Sequence, residues 1–394
     1  MNDVSAPLRA AARMAHIAPF EVMEIQKLAR ELEAQGRDIV RLEIGEPDFR
    51  TPGPVVEAAK RALDTEGMFY TSALGLAKLR EAIARWYAER YEVEVPASRI
   101  VVTAGSSGAL LLAFGVLLDA GEEVLLADPA YPCNRHFVRT LGAVPRGVPV
   151  GGATRYQLTA GLVREHWGPA TRMAMVASPS NPTGTLIAHE EMSRIAQVVR
   201  AKGGTLLADE IYHGLTYGVD ARTAAELGED VIVINSFSKY FQMTGWRLGW
   251  MLVPPELVRR VETLAQNLYI SPSSVAQHAA LACFEPATVA ILEERRAELD
   301  ARRRYLVPAL QSLGIGVPVV PDGAFYVYAD TSRVADDSFA LARALLTEAG
   351  VAVTPGRDFG VNEPERHLRI AYTQPIARLR EAVDRIGKYL AKKG

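Results

Sequence analysis

Cysteine is scarce in this sequence, and neither sign of charge is in excess. The chain of 394 residues has two cysteines, Cys133 and Cys283, and neither stands in a C-x-x-C or metal-ligand spacing. Two cysteines cannot form a disulfide framework, so we expect a reducing, cytoplasmic location and no metal site. The 44 basic and 46 acidic residues give a net charge of −2, which offers no support for a nucleic-acid partner.

Long hydrophobic runs and nucleotide-binding glycine motifs are also lacking. The N-terminal stretch M-N-D-V-S-A-P-L-R has no apolar segment of the secretory type, and the uncharged run over residues 105–118 is too short to span a bilayer. We therefore expect neither secretion nor a membrane partner. The turn T-A-G-S-S-G over 103–108 contains neither G-K-[ST] nor G-x-G-x-x-G, which argues against a nucleotide-binding oxidoreductase.

Short apolar runs alternate with helical patterns through the middle of the chain. Strands are predicted over 100–103, 123–127, 143–148, 172–177, 205–209 and 231–235, and helices between them over 107–118, 134–141 and 190–202. This alternation predicts an α/β fold with a mainly parallel sheet that helices cover on both faces. Ligands of such sheets bind outside the carboxyl ends of the strands.

A smaller α+β domain is predicted from the C-terminal part of the chain. It follows a long charged helix over 287–313 and has a helix over 338–349 and short strands over 314–320, 323–328, 351–356 and 367–372. A helix over 19–35 precedes the large domain. We expect an N-terminal arm and helix over 1–45 that belong to the small domain, a large domain over 46–285, and a small domain over 286–394.

The stretch N-S-F-S-K-Y-F-Q-M-T-G-W-R-L-G at 235–249 is the most informative segment. Lys239 follows the apolar run 231–234, Ser236 and Ser238 flank it, and Arg247 lies eight residues on. A buried ammonium is unfavourable, so a lysine at the end of a core strand either reaches solvent or is held near neutrality for chemistry. The serines and Arg247 can hold a phosphate dianion, beside which an amine can form an imine with an aldehyde carried on that phosphate.

The patterns S-x-S-K and T-G-W-R-L-G resemble the signature of the class I and II aminotransferases, which have the aspartate-aminotransferase-like fold, fold type I. The resemblance implies a seven-stranded sheet in a large domain that binds pyridoxal 5′-phosphate. It also implies that Lys239 is the catalytic lysine, which holds the cofactor as an aldimine and moves the proton of the donor's Cα. In the same family an arginine at the position of Arg247 is the counter-charge of the cofactor phosphate.

Further cofactor-binding candidates stand at other strand ends, and each also has an ordinary structural interpretation. Ser106 and Ser107 lie in a turn that exposes backbone N–H groups to an anion, although many such turns are rich in small residues. Asp209 either caps a helix or pairs with a protonated pyridine nitrogen, which makes the ring an electron sink. Tyr212, three residues on, can reach the phenolic oxygen of the cofactor.

The resemblance alone assigns the roles of three further residues of the cofactor site. It implies that Tyr131 stacks on the pyridine ring, that Asn181 in S-P-S-N-P-T-G bonds the phenolic oxygen, and that Tyr70 reaches the phosphate of a neighbouring subunit. A homodimer with shared sites follows from the last assignment. The alternatives are a turn residue for Tyr131 and for Asn181 and a packed aromatic for Tyr70.

The substrate side is also assigned by resemblance. Gly45 in G-E-P-D-F brings the backbone close to the substrate carboxylate, Tyr131 and Asn181 border the same space, and Arg369 clamps that carboxylate bidentately. A plain loop at Gly45 and a local salt bridge of Arg369 are the alternatives. The family often has cis peptides at the positions of Pro129 and Pro182.

The implied reaction moves an amino group from an L-amino acid to a 2-oxo acid, such as 2-oxoglutarate or pyruvate, in a ping-pong cycle. Dicarboxylate specialists of the family add a second cation, either near Q-N-L-Y-I-S-P-S-S or at the position of Ser107, and this sequence has neither. We therefore expect an uncharged, aromatic or broad range of donors, with Phe20, Tyr131, Tyr269 and Phe325 as candidate pocket walls. An aspartate aminotransferase, a lyase of the same fold by β-elimination or cyclopropane formation, and a cofactor-binding regulator remain alternatives.

Overall fold

The computed structural model describes residues 8–393, which contain twelve β-strands and twelve α-helices. The strands are β1 (Val40–Arg41), β2 (Ile100–Thr103), β3 (Glu123–Asp128), β4 (Val144–Pro149), β5 (Thr171–Ala177), β6 (Thr205–Asp209), β7 (Ile232–Ser236), β8 (Gly249–Leu252), β9 (Tyr326–Asp330), β10 (Val351–Ala352), β11 (Thr354–Pro355) and β12 (His367–Ala371).

The helices are distributed along the whole described chain. They are α1 (Glu21–Ala34), α2 (Gly53–Thr65), α3 (Ala77–Tyr91), α4 (Gly105–Leu117), α5 (Pro132–Thr140), α6 (Ala160–His166), α7 (His189–Ala201), α8 (Val258–Tyr269), α9 (Ser274–Ala280), α10 (Pro286–Ser312), α11 (Ser338–Ala344) and α12 (Ile376–Ala391). A π-helical turn, Leu345–Ala349, extends α11.

A seven-stranded sheet in the order β2-β8-β7-β6-β5-β3-β4 dominates the structure. Its strands are parallel except β8, which is antiparallel to both β2 and β7. The carboxyl ends of β2, β3, β5, β6 and β7 therefore share one edge of the sheet. The loops that follow these strands are brought together there.

Both faces of this sheet are buried, as the continuous apolar strands predict. In β2, Ile100 and Val102 pack into one hydrophobic cluster and Val101 packs into another on the opposite face. The helix α4 contributes Leu112 and Phe114 to the second cluster. The two-sided burial explains why the strands read as unbroken apolar runs in the sequence.

Of two smaller sheets, one lies wholly in the C-terminal part of the chain and the other joins the N-terminal segment to that part. A three-stranded antiparallel sheet has the order β11-β12-β9, and β1 pairs in parallel with β10. In the antiparallel sheet Arg369 lies opposite Tyr328, and Ala371 lies opposite Tyr326. These residues therefore share one face of the sheet.

The expected fold class, a mainly parallel seven-stranded sheet with a smaller α+β part, is confirmed. The strand predicted over 314–320 is wrong, because this segment makes only an isolated bridge between Gly316 and Asp330. Pro318 has no N–H to donate to a sheet. The boundaries at 45/46 and 285/286 stay predictions, and residues 1–7 of the predicted arm lie outside the described residues.

Within residues 8–393, three peptide bonds are cis, those before Pro129, Pro179 and Pro182. Two of them stand at the positions suggested by the family resemblance. Among the described residues, no single helix has both the length and the apolar composition to cross a membrane. By length and composition alone, the bent pair Ser274–Phe284 and Pro286–Ser312 meets that test jointly.

Candidate active site

A cavity of about 260 Å³ lies at the edge of the large sheet where the parallel strands end. All but two of the predicted site residues line it. The lining members of the predicted set are Gly45, Ser106, Ser107, Tyr131, Asn181, Asp209, Tyr212, Ser238, Lys239, Arg247 and Arg369. Residues separated by more than 300 positions in the chain thus meet in one space. We call the part formed after β2, β5, β6 and β7, with Ser106, Asn181, Asp209 and Lys239, the floor of the cavity.

Lys239 projects into the cavity just beyond the end of β7. Its Nζ donates a hydrogen bond to the carbonyl oxygen of Gly45 at 2.6 Å. Burial, helped by the positive charges of Arg369 and Arg247, lowers the pKa of Lys239 from 10.5 to about 8. A substantial fraction of this amine is therefore neutral near pH 8, as a nucleophile and proton acceptor must be.

Asp209 ends β6 on the same floor and is buried. Its Oδ1 accepts the backbone N–H of Ile211 at 3.1 Å. Burial raises the pKa of Asp209 to about 6, although that hydrogen bond and the charge of Lys239 favour the ionised form. A buried carboxylate of this kind is stabilised by a cation that enters the cavity.

Arg369, in β12, is held over the cavity by groups from three different segments. Its Nη1 donates to Asn181 Oδ1 at 3.1 Å, and its Nη2 donates to the carbonyl of Glu43 at 2.6 Å and to Thr354 Oγ1 at 3.3 Å. Its buried Nε has no hydrogen-bond partner in the described part of the chain. A guanidinium fixed in this way can bind a carboxylate with its remaining donor capacity.

Two tyrosines line the cavity, and one of them contacts the guanidinium of Arg369. The hydroxyls of Tyr212 and Tyr326 are 3.0 Å apart, and the guanidinium of Arg369 is 4.5 Å from the ring centroid of Tyr326. Tyr326 was missed by the sequence reasoning. The alternation in F-Y-V-Y could have placed Tyr326 and Tyr328 on the face of the sheet that also carries Arg369.

The part of the cavity at the start of α4 is suited to an anion. Ser106 and Ser107 lie in the first turn of α4, where free N–H groups and the helix dipole favour negative charge. The guanidinium of Arg247 packs so closely on this turn that a Cβ on Gly105 would lie 2.7 Å from its Nη2. Gly105 also has φ +71°, so a larger residue would strain the turn.

Ser236 does not line the cavity. Its hydroxyl donates to Ser238 Oγ at 3.0 Å, or to the carbonyl of Leu248 at 3.2 Å. Ser238 lines the cavity directly. Ser236 therefore supports Ser238 through this hydrogen bond and does not itself contact the space.

Tyr70 also lies away from the cavity and is 79% exposed. Its neighbour Phe69 is 81% exposed, and Leu268 and Ile270 are exposed as well. The hydroxyl of Ser274 donates to the carbonyl of Phe69 at 2.6 Å, which connects the two segments. Large apolar side chains are thus exposed both around residue 70 and at the end of α8, over 268–270.

Aliphatic and aromatic side chains at the start of α1 form one side of the cavity. Phe20, Val22 and Met23, which we call the apolar wall, line it together with Ile44 and Phe137. The expected wall residues Phe20 and Tyr131 line the cavity and contact each other edge to face, with ring centroids 6.0 Å apart. Val22 and Met23 were missed, because helical periodicity alone does not distinguish a buried position from a cavity-lining one.

The other two expected wall residues lie outside the lining. Phe325 stands behind Tyr212, with ring centroids 5.5 Å apart. Tyr269 ends α8 and does not contribute to the cavity surface. A further lining residue that the sequence reasoning missed is Glu46, next to Gly45. Its carboxylate adds negative charge near Lys239.

Comparison with known proteins gives one family across nearly the whole chain. The profile of the family described as aminotransferase class I and II matches residues 37–386. A relative from Mycobacterium tuberculosis named valine–pyruvate aminotransferase is 41% identical over 381 residues, which cover 96% of this chain and 98% of the relative.

Solved structures agree with this match. An aminotransferase from Mycobacterium tuberculosis superposes with a TM-score of 0.94 at 40% identity, covering 98% of this chain and 100% of the other. The aspartate aminotransferase from Thermus thermophilus with maleate gives 0.91 at 34% identity, covering 97% and 100%.

Proposed function

The chain belongs to the class I and II aminotransferase family and is an aminotransferase, and we propose that it uses pyridoxal 5′-phosphate to move an amino group from an uncharged L-amino acid to a 2-oxo acid. The acceptor is 2-oxoglutarate or pyruvate, and the two half-reactions alternate in a ping-pong cycle. The observation that carries this proposal is the meeting of Lys239, Asp209, Arg247 and Arg369 in one cavity.

The side chains of the cavity match the chemical groups of the cofactor. Arg247, Ser106, Ser107 and Ser238 would hold the phosphate, and the tight contact of Arg247 with Gly105 supports an anion at that end. Asp209 would pair with the pyridine nitrogen. A cationic partner there would relieve the unfavourable burial that raises the pKa of its carboxyl.

The remaining predicted residues would complete this binding site. Asn181 and Tyr212 would bond the phenolic oxygen, Tyr131 would stack on the ring, and Ser236 would orient Ser238. When bound, pyridoxal phosphate supplies an electron-accepting ring and the carbon that carries the amino group between the two substrates.

The residues of the chain perform the proton transfer and the positioning. Arg369 binds the α-carboxylate of the donor and thereby orients its Cα toward Lys239. The neutral Nζ of Lys239 takes the proton from Cα of the donor in the first half-reaction. In the second half-reaction it delivers a proton to the corresponding carbon of the acceptor. Gly45 provides the carbonyl oxygen that holds this amine in place.

The preference for an uncharged donor is supported by the charges around the cavity. Among the described lining residues, the cations are Lys239, Arg247 and Arg369, and each already has a role. Glu46 lines the same space and would repel an acidic side chain. The apolar wall favours aliphatic and aromatic donors, and the relative named valine–pyruvate aminotransferase supports the same choice.

We further propose a homodimer in which Tyr70 of one subunit contacts the phosphate held by its partner. The support is the exposure of Tyr70 and of the apolar residues Phe69, Leu268 and Ile270. An interface would bury these side chains. Sedimentation at micromolar concentration tests this point, and a monomer that transaminates at full rate would contradict it.

A panel of amino donors with 2-oxoglutarate and with pyruvate tests the proposed reaction. We expect kcat/KM for valine, leucine, phenylalanine or alanine to exceed that for aspartate. A hundredfold preference for aspartate would overturn the donor assignment, and release of ammonia without an acceptor acid would indicate a lyase. The Lys239→Ala variant should lose both the absorbance of the bound cofactor and transamination.

A further inference from the structure

The first turn of α1 has no cap of its own. Its N-cap residue is Phe20, whose side chain makes no capping hydrogen bond. Instead, the carboxylate of Asp358 accepts the backbone N–H of Glu21 at 3.0 Å and that of Val22 at 3.3 Å. A residue more than 300 positions away thus satisfies two of the free N–H groups at this helix end.

Asp358 is itself fixed by its surroundings. It is buried at the end of the short 3-10 turn Gly356–Asp358, which follows β11. Its carbonyl oxygen accepts a hydrogen bond from Arg135 Nη2 of α5 at 2.6 Å. The carboxylate that caps α1 is therefore connected to the helix that begins directly after Tyr131.

The residues after Asp358 attach the same loop to the large sheet. The carboxylate of Asp128, the last residue of β3, accepts the backbone N–H groups of Val361 at 3.1 Å and Asn362 at 3.4 Å. A Cβ on Gly360 would lie 1.6 Å from Asp128 Oδ1. The loop over 358–362 is thus held between α1 on one side and β3 and α5 on the other.

The turn that Asp358 caps carries the apolar wall. Phe20 precedes the capped N–H groups, Val22 provides one of them, and Met23 follows, and all three side chains line the cavity. Phe20 also contacts Tyr131 edge to face. A displacement of this turn would move the wall relative to the floor, while the groups on the floor would keep their own supports.

We propose that Asp358 is a positioning residue that sets the preference of the enzyme for apolar donors by fixing the first turn of α1. This inference rests on the proposed function. Asp358 does not line the cavity, so it acts through Phe20, Val22 and Met23. Its removal weakens the binding of donors whose side chains reach the wall and leaves a donor as small as alanine largely unaffected.

The alternative is an electrostatic role, because burial raises the pKa of the Asp358 carboxyl and the positive charge of Arg369 opposes that rise. If Asp358 acted mainly through Arg369, every amino acid would be affected alike, because every donor presents the same α-carboxylate. The size of the donor side chain therefore separates the two roles.

The test compares Asp358→Ala and Asp358→Asn with the wild-type holoenzyme. We expect kcat/KM for leucine and phenylalanine to fall about fivefold to tenfold in Asp358→Ala, the scale of a lost helix cap. The loss should appear in KM, while kcat, the absorbance of the bound cofactor and kcat/KM for alanine stay within about twofold of wild type. Asp358→Asn keeps one acceptor oxygen and should show a smaller change of the same kind, which covers the case in which Asp358→Ala does not fold.

The matched control is Asp337→Ala. Asp337 caps α11, where its Oδ1 accepts the backbone N–H of Phe339 at 2.9 Å, and it does not line the cavity. Its replacement removes a cap of the same chemical kind. The ratio of kcat/KM for leucine to kcat/KM for alanine should stay unchanged. A change of that ratio in Asp337→Ala equal to the change in Asp358→Ala would overturn the proposal.

Hydrogen exchange gives a second reading that does not depend on activity. The amides of Glu21, Val22 and Met23 should exchange faster in Asp358→Ala than in wild type, with and without pyridoxal phosphate. Unchanged exchange there, or equal losses for alanine and leucine, would show the proposal to be wrong. If the wild-type enzyme does not transaminate apolar donors, the proposed function is wrong. The capping role is judged separately, because unchanged hydrogen exchange in Asp358→Ala contradicts that role whatever the activity.

Discussion

The floor of the cavity and its apolar wall are assembled from contacts of different range. Asp209 ends one strand of the large sheet, and Asn181 and Lys239 follow its two neighbours, so the register of these strands brings the three residues together. The wall instead depends on hydrogen bonds between Asp358 and a helix end 336 and 337 residues earlier in the chain. Local motifs thus place the polar groups of the floor, whereas long-range contacts shape the side of the cavity that the apolar wall forms.

The largest expected effect separates two adjacent buried carboxyl groups, one on the floor and one outside the cavity. Asp209 faces the cavity, whereas Glu210 accepts hydrogen bonds from Thr223 Oγ1 at 2.8 Å and the N–H of Ala224 at 2.6 Å. Asp209→Asn should lower kcat on the order of 100- to 1000-fold, because a charge that acts during the reaction is removed. Glu210→Gln should keep kcat within about threefold. An equal loss of kcat in both variants would contradict the assignment of a special role to Asp209.

Arg369→Lys should raise KM by roughly 10- to 100-fold for all donors alike. The reason is that lysine cannot reproduce a bidentate contact with the α-carboxylate, and hydrogen bonds to charged groups contribute about 1.5–3 kcal/mol. Arg366→Lys is the control, since Arg366 pairs with Asp330 and Glu363 outside the cavity. A loss confined to large donors would place Arg369 with the wall instead of with the carboxylate.

The rate at which the cofactor-free protein takes up pyridoxal phosphate should rise with pH by about tenfold per unit and level off above pH 8. The sign follows from the lowered pKa of Lys239, because the neutral amine reacts and its fraction grows until the pH passes about 8. Stopped-flow absorbance measures this rate, with a lysine derivative in solution as the control, whose rate should keep rising to a higher pH. A protein profile that also continues to rise beyond pH 10 would contradict the buried amine.

The smallest expected effect concerns the wall. Phe20→Ala should lower kcat/KM about fivefold for leucine and phenylalanine, because apolar contact with the donor side chain is lost. The internal control is alanine, whose kcat/KM should change by less than about twofold in the same variant. A uniform loss for all donors would indicate that Phe20 acts through Tyr131, with which its ring is in edge contact.

The fold and the floor could largely be predicted from the sequence. Continuous apolar runs identified β2, β3, β5, β6 and β7 to within a residue or two, because strands buried on both faces need no polar alternation. Most of the polar residues after these strands line one cavity, since the ends of parallel strands share an edge. The roles of these residues stay predictions until the variants are measured.

The wall and several details could not be predicted, for physical reasons. No local pattern shows that Asp358 caps α1, because the partners are backbone N–H groups far away in the chain. The strand β8 was not identified, because Gly249 and the short length of the segment weaken its signal. Pro318 interrupts the segment over 314–320 that resembled a strand.

The capping of α1 through backbone N–H groups has a consequence for evolutionary divergence. Asp358 bonds Glu21 and Val22 through atoms that every residue except proline possesses, so the attachment of the helix does not depend on which side chains it carries. Substitutions at positions 20, 22 and 23 can therefore change the donor accepted by the enzyme while the turn keeps its place and the floor keeps its chemistry. A new donor preference can arise from one turn of helix, without simultaneous changes at Lys239 or Asp209.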